Sequence, residues 1–178
     1  HDYVNATNLN RQVLFTNADI AKKKVKVAKK KLEAINPDAK IKVNSTFVSE
    51  DNLVDYKLKE FDYVIDAIDS TKSKVALITY LIKHKINFIS SLGMGNRLDP
   101  SKLIVTTLDK THDDPLAKKL RNELKKNGVD LRKVKVVTSN EIPAKDKVKV
   151  TSMIFVPSAA GLLLANYVLS LAIDEVKN

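Results

Sequence analysis

Residues 62–92 constrain the fold more than any other stretch. Tyr63 to Ile68 is a short apolar run, interrupted by Asp66 and closed by Asp69 and Ser70. It is too short for a helix, and its Val and Ile content suits a strand buried on both faces. Residues 72–85 then read as helix, and Ile86–Leu92 as a further strand. Strands alternating with helices predict an α/β fold with a mostly parallel sheet. A strand that stops at a carboxylate and turns into a helix leaves that carboxylate at the sheet's C-terminal edge. That edge is where open α/β sheets bind ligands. Asp69 is therefore a candidate site residue. Asp66 points to the other face and reads as structural.

The rest of the chain continues the pattern. A helix is expected from Ala18 to Ile35, capped by Asn17 or Asp19 and stopped by Asn36-Pro37. Its buried stripe would be Val25, Ala28, Leu32 and Ile35. Residues 41–48 alternate as a strand, and 51–59 read as a short helix. Leu103–Leu108 and Val134–Thr138 read as strands. Pro115 to Lys126 reads as a helix ended by Asn127-Gly128. Residues 139–149 form a charged loop. Residues 151–156 read as a last strand, followed by a helix with Ser158 near its N-cap. The strands after residue 100 are expected to form a separate or antiparallel C-terminal wing, with helices on both faces of the main sheet. Ser152 to Ile173 carries no charge over 22 positions, long enough to span a bilayer. Its internal Pro and polar residues favour a strand, a turn and a buried helix, so no stable membrane insertion is expected.

Composition narrows the chemistry. The chain has 178 residues and no cysteine. That excludes disulfides, cysteine-ligated zinc, iron–sulfur clusters and thiol nucleophiles. The net charge of +10, from 31 Lys and Arg against 21 Asp and Glu, suits a polyanionic partner such as nucleic acid. A lysine-favouring composition accounts for it equally well.

Four features carry candidate chemistry. Thr7-Asn8-Leu9-Asn10-Arg11-Gln12 places an Arg among side-chain amides, a set suited to gripping phosphate oxygens. Lys24, early in the first helix, can face an anion, although a solvated lysine face is the commoner outcome. Asp69 can hold Mg²⁺ beside substrate phosphates, or simply cap the helix after it. Gly93-Met94-Gly95-Asn96-Arg97 follows a strand; its glycines let backbone approach a ligand, or make a turn between strands. The four glycines include no G-x-G-x-x-G or P-loop pattern. From these residues alone the chain is a basic α/β domain with a possible nucleotide site.

The order of motifs adds to this. T-N-x-N-R-Q at 7–12, K-x-K-V at 22–25, I-N-P at 35–37, D-x-V-x-D-A-I-D-S at 62–70 and S-x-G-M-G-N-R-x-D-P at 91–100 follow one another. Together they resemble the ubiquitin-activating-like, ThiF/MoeB-type adenylating superfamily. The likeness is strongest to its tRNA threonylcarbamoyladenosine dehydratases, and continues through Lys110-Thr111, Asp114 to Ala117, and Phe155 to Gly161. It implies one Rossmann-like adenylating domain over 1–178 that lacks its first strand, Gly-rich loop and helix. It implies that Asn8, Arg11 and Gln12 lie along the phosphates of ATP, with Arg11 able to serve the partner subunit's site. Lys24 would contact the phosphates and stabilise the transition state. Asp69, with Ser70, would position Mg²⁺–ATP, and Thr7, Phe47 and Val48 would help hold the nucleotide. Arg11, Lys24 and Asp69 are thus the expected catalytic set. The implied reaction is ATP-dependent cyclisation of the threonylcarbamoyl group on tRNA, in the cytoplasm, by a homodimer. A sulfur donor or sulfur-carrier protein is the alternative partner. Lacking cysteine, the chain can neither pass a protein onto a thiol nor build the paired C-x-x-C zinc site of many sulfur-carrier activators. The stretch from Lys118 to Lys149 is the expected tRNA face.

Overall fold

A computed structural model describes residues 1–144 and 151–177. The chain forms two compact units, His1–Phe47 and the remainder from Val48 onward.

In the first unit, helix α1 spans Lys24–Ile35, starting six residues later than the expected helix at Ala18. The reason is local. Residues 2–4 and 21–24 exchange backbone hydrogen bonds, from Val4 to Lys22, Ala21 to Val4 and Lys24 to Asp2. They also form an antiparallel bridge at Tyr3 and Lys23. Ala21 sits in the left-handed region, at φ 65°, so no helix passes through it. Asn17–Asp19 is a separate 3-10 turn boxed by Thr16, and neither Asn17 nor Asp19 caps α1. The buried stripe also differs. Val27 is the buried residue of α1, while Leu32 and Ile35 are exposed. Residues 41–48 form no strand. A strand needs a neighbour for its N–H and C=O groups. None of the described residues pairs with this stretch.

The second unit is one four-stranded mixed sheet. Strand β1 is Tyr63–Asp66, β2 Asn87–Ser91, β3 Leu103–Thr107 and β4 Lys135–Ser139. Their spatial order is β1-β2-β4-β3. β1, β2 and β4 run parallel, and β3 joins β4 antiparallel, with Val105 opposite Val137. The expected wing is therefore an edge of the same sheet. Helices α2, Thr71–Lys83, and α3, Pro115–Lys126, cover one face; α4, Phe155–Lys177, covers the other. Alternation along β4 serves both layers. Val136 packs with Ile78, Leu120 and Leu124, and Val137 packs with Val156, Ala160 and Leu164. The expected helix at 51–59 is two 3-10 turns, Glu50–Tyr56 and Leu58–Glu60, parted at Lys57 in the left-handed region.

Helix α3 shows its boundaries most clearly. Asp114 Oδ1 accepts the Ala117 N–H at 2.9 Å, and Pro115 takes the first helical position, where its missing N–H costs nothing. At the other end Gly128, at φ 71°, lets its own N–H and that of Val129 bond the carbonyls of Lys125 and Leu124. The expected strand at 151–156 is absent. Thr151 is spent on Asn96, whose N–H donates to its carbonyl at 2.8 Å and whose Oδ1 accepts its N–H at 2.7 Å. Phe155 already begins α4, so Ser158 lies inside the helix and does not cap it. Pro157 is tolerated there because first-turn N–H groups have no acceptor within the helix. α4 is long and apolar enough to cross a membrane by length and composition. Here Val156, Ala160 and Leu164 are buried on the sheet.

Candidate active site

In the first unit, Asn5 builds the turn that carries Thr7 and Asn8. Its Oδ1 accepts from the Thr7 N–H at 2.9 Å and the Thr7 hydroxyl at 3.0 Å, while Asn8 Oδ1 accepts the Asn5 N–H at 3.2 Å. The Thr7 and Asn8 side chains are therefore occupied in shaping the turn. Arg11 and Gln12 leave it through backbone bonds to the Asn8 carbonyl. Arg11 Nη1 donates to the Thr7 carbonyl at 3.0 Å and to Asn10 Oδ1 at 2.9 Å. A guanidinium fork also matches the geometry of phosphate oxygens. Among the described residues, Gln12 Oε1 is buried and finds no hydrogen-bond partner.

Lys24 opens α1 and places Nζ 2.5 Å from Asp2 Oδ2. The bond from Lys24, with one from the Tyr3 N–H, holds the Asp2 carboxyl below the usual carboxylate range. A cation and an anion are thus paired at the start of α1. Phe47 meets His1 edge to face, with ring centroids 4.8 Å apart.

In the second unit, Val48 packs beside Leu53, Leu77 and Leu81. Ser70 performs the capping role weighed for Asp69: its Oγ accepts the Ser73 N–H at the start of α2. Asp69 therefore stands exposed just beyond β1, at the sheet's C-terminal edge. Asp66 is structural, as expected, but its partner was not foreseen. Lys74 Nζ lies 2.7 Å from Asp66 Oδ2, and both side chains are fully buried. A visible signal existed. Lys74 falls on the same helical stripe as Leu77, Ile78 and Leu81, where only a paired charge is tolerated.

The Gly93–Pro100 loop is a structural hub. Arg97, 2 % exposed, donates to the carbonyls of Ser139 at 2.5 Å and Glu141 at 2.8 Å. It also approaches Asp114 Oδ2 at 3.6 Å. The Gly93 N–H donates to that same carboxylate at 3.2 Å rather than lying open to a ligand. This loop joins β2 to β3, so the turn reading describes it better than the ligand reading.

Among the described residues, no cluster of three or more His, Asp or Glu could hold a metal. Mg²⁺ bound with a nucleotide needs only one or two carboxylates, because phosphates and water complete its shell. An exposed Asp69 at a sheet edge fits that demand.

The model of the ThiF family matches residues 1–175, and the chain belongs to that family. Within it, the chain is similar to two proteins named tRNA threonylcarbamoyladenosine dehydratase. The Haemophilus influenzae protein is 39% identical over 126 residues, covering 71% of this chain and 48% of that protein. The Bacillus subtilis protein is 31% identical over 194 residues, covering 99% of this chain and 76% of that one. Against the first of these the matched part spans about half the relative's length. The crystal structure of the Escherichia coli dehydratase TcdA in complex with ATP superposes with a TM-score of 0.92 at 33% identity. That match covers 99% of this chain and 74% of that one.

Proposed function

We propose that this chain is the adenylating domain of an ATP-dependent tRNA threonylcarbamoyladenosine dehydratase. The likeness over 99% of the chain to the ATP complex of the E. coli dehydratase carries this reading. The absence of cysteine supports it, since ring closure on an acyl-adenylate needs no enzyme thiol. The carboxylate of the threonylcarbamoyl group attacks the α-phosphorus of ATP, and pyrophosphate leaves. The carbamoyl group then attacks the acyl carbon, and AMP leaves with the former carboxylate oxygen. The modified adenosine has then lost one water.

Catalysis of this kind is mainly positioning and neutralisation of charge. Arg11 and Lys24 stabilise the negative charge that builds on the phosphates, and Lys24 would exchange its Asp2 partner for them. Asn8, Gln12 and Thr7 line the phosphate path, and Phe47 and Val48 help hold the nucleotide. Asp69, flanked by Ser70, would hold Mg²⁺, which neutralises the departing pyrophosphate. The enzyme works as a homodimer in the cytoplasm, with tRNA lying on the basic stretch that begins at Lys118. Residues 145–150 of that stretch lie outside the described residues.

The test incubates the protein with ATP, Mg²⁺ and threonylcarbamoylated tRNA and weighs the released nucleosides by mass spectrometry under mild conditions. Loss of one water, dependent on ATP and on Asp69, is the expected result. No change in a protein that binds ATP would point to adenylation of a sulfur-carrier protein instead.

A further inference from the structure

Asp66, Lys74 and Ser90 come from β1, α2 and β2 and meet inside the second unit, all essentially buried. Asp66 and Ser90 are register partners across the two parallel strands. The Ser90 hydroxyl donates to Asp66 Oδ2 at 2.6 Å and accepts from Lys74 Nζ at 3.0 Å. Lys74 also donates to Asp66 Oδ2 at 2.7 Å. Burying such a set for stability alone is poor design, because apolar residues of similar volume often serve as well or better.

The network does something an apolar trio could not. The other carboxylate oxygen, Asp66 Oδ1, accepts the N–H of Ile68 at 3.0 Å, one residue before Asp69. One residue after Asp69, the Ser70 carbonyl accepts the N–H of Lys74 at 2.9 Å. Lys74 thus clamps both ends of the turn, through its ammonium on Asp66 and its backbone on Ser70. The coupling also runs electrostatically. Burial pushes the Lys74 ammonium towards deprotonation, and the charges of Asp66 and then Asp69 oppose that push.

We infer that Asp66, Lys74 and Ser90 are positioning residues, which hold the turn at 67–70 so that Asp69 meets Mg²⁺–ATP without reorganising. This rests on the reading of Asp69 given above. Misplacing a positioned group by about an ångström costs roughly a hundredfold in rate, so a loosened turn is expected to be visible in kinetics.

Two variants separate positioning from stability. Asp66→Asn with Lys74→Met removes the buried charges but keeps an acceptor for the Ile68 N–H. Asp66→Leu with Lys74→Met and Ser90→Ala makes the site apolar and removes that acceptor. The expected result is that both fold. The apolar variant raises KM for Mg²⁺–ATP by about tenfold or more, and without nucleotide it exchanges the Ile68 amide hydrogen faster. The Asn variant keeps the Ile68 acceptor but loses the Lys74 ammonium, so it falls between native and the apolar variant in both readouts. Equal behaviour of the two variants, a native KM in the apolar one, or failure of both to fold assigns the network to stability alone and overturns the inference. Asp69→Ala in the native background tells the two failures apart. An unchanged KM there removes the reading of Asp69. A raised KM there, beside an unaffected apolar variant, removes only the positioning role.

Discussion

Asp114→Ala strips one carboxylate from three structural roles at once. The carboxylate caps α3 through Ala117, accepts the Gly93 N–H and is the acidic neighbour of the buried Arg97. Loss of the cap costs about 1 kcal/mol. Stranding a buried charge costs about 3–5 kcal/mol when one partner is removed. The lower end applies to Arg97, since the ion pair is long, at 3.6 Å, and three backbone carbonyls still accept from the guanidinium. Leaving the half-buried Gly93 N–H unpaired adds about 1 kcal/mol at most. The total is about 4–5 kcal/mol, and at roughly 2–4 °C per kcal/mol for a chain of this size it lowers Tm by roughly 8–20 °C. Asp114→Asn keeps Oδ1 for the cap and is expected to lose about half as much. Urea unfolding with a shared m-value reads both losses. An Asp114→Ala protein within about 1 kcal/mol of native would refute the idea that this carboxylate anchors the Gly93–Pro100 loop.

Asp19 is held down to about 2 by its bond to Lys31 and by two bonds from Thr16. A depressed carboxylate adds stability that is fully present above its ordinary value of 3.8 and is lost as pH falls through about 2. Acid unfolding followed between those values therefore loses this component in Asp19→Asn; superimposable acid curves would contradict the assignment. Gly128→Ala places a Cβ where no atom lies within 4 Å but φ is +71°. Urea unfolding is expected to show a loss of about 1–2 kcal/mol from the left-handed backbone alone. On the proposed tRNA face, changing the exposed Lys118, Lys119 and Lys125 of α3 to Glu is expected to weaken tRNA binding and flatten its salt dependence. Unchanged affinity would place the RNA on another face.

Elements bounded by strong local chemistry were legible in the sequence. Asp114-Pro115 and Asn127-Gly128 bracket α3 as read, and the apolar run before Asp69 supplies β1, although the strand stops at Asp66 and lies at the sheet's edge with Ile65 exposed rather than buried on both faces. Where local pattern competed with tertiary pairing, pairing won. Residues 21–24 carry lysines suited to a helix, yet their backbone is spent on residues 2–4. Residues 41–48 alternate, but alternation without a neighbouring strand makes no ladder. Residues 151–156 are rich in β-formers, yet Asn96 holds Thr151 and α4 begins at Phe155. At the site, exposed candidates such as Asp69 were readable from their place at a strand end. The supporting charges were harder. Lys74 and Arg97 each look like a surface cation in sequence and are among the most buried side chains in the fold. Only their position on an apolar stripe, or in a loop that must turn back over the sheet, betrays them.

The central claim is that a tRNA-borne carboxylate is activated as an acyl-adenylate and then closed on itself. The most direct measurement labels that carboxylate with heavy oxygen and follows the label after one turnover with ATP and Mg²⁺. The account predicts one labelled oxygen in AMP, one retained in the dehydrated nucleoside, and none in pyrophosphate. Label in released water or in pyrophosphate, with unlabelled AMP, would contradict it.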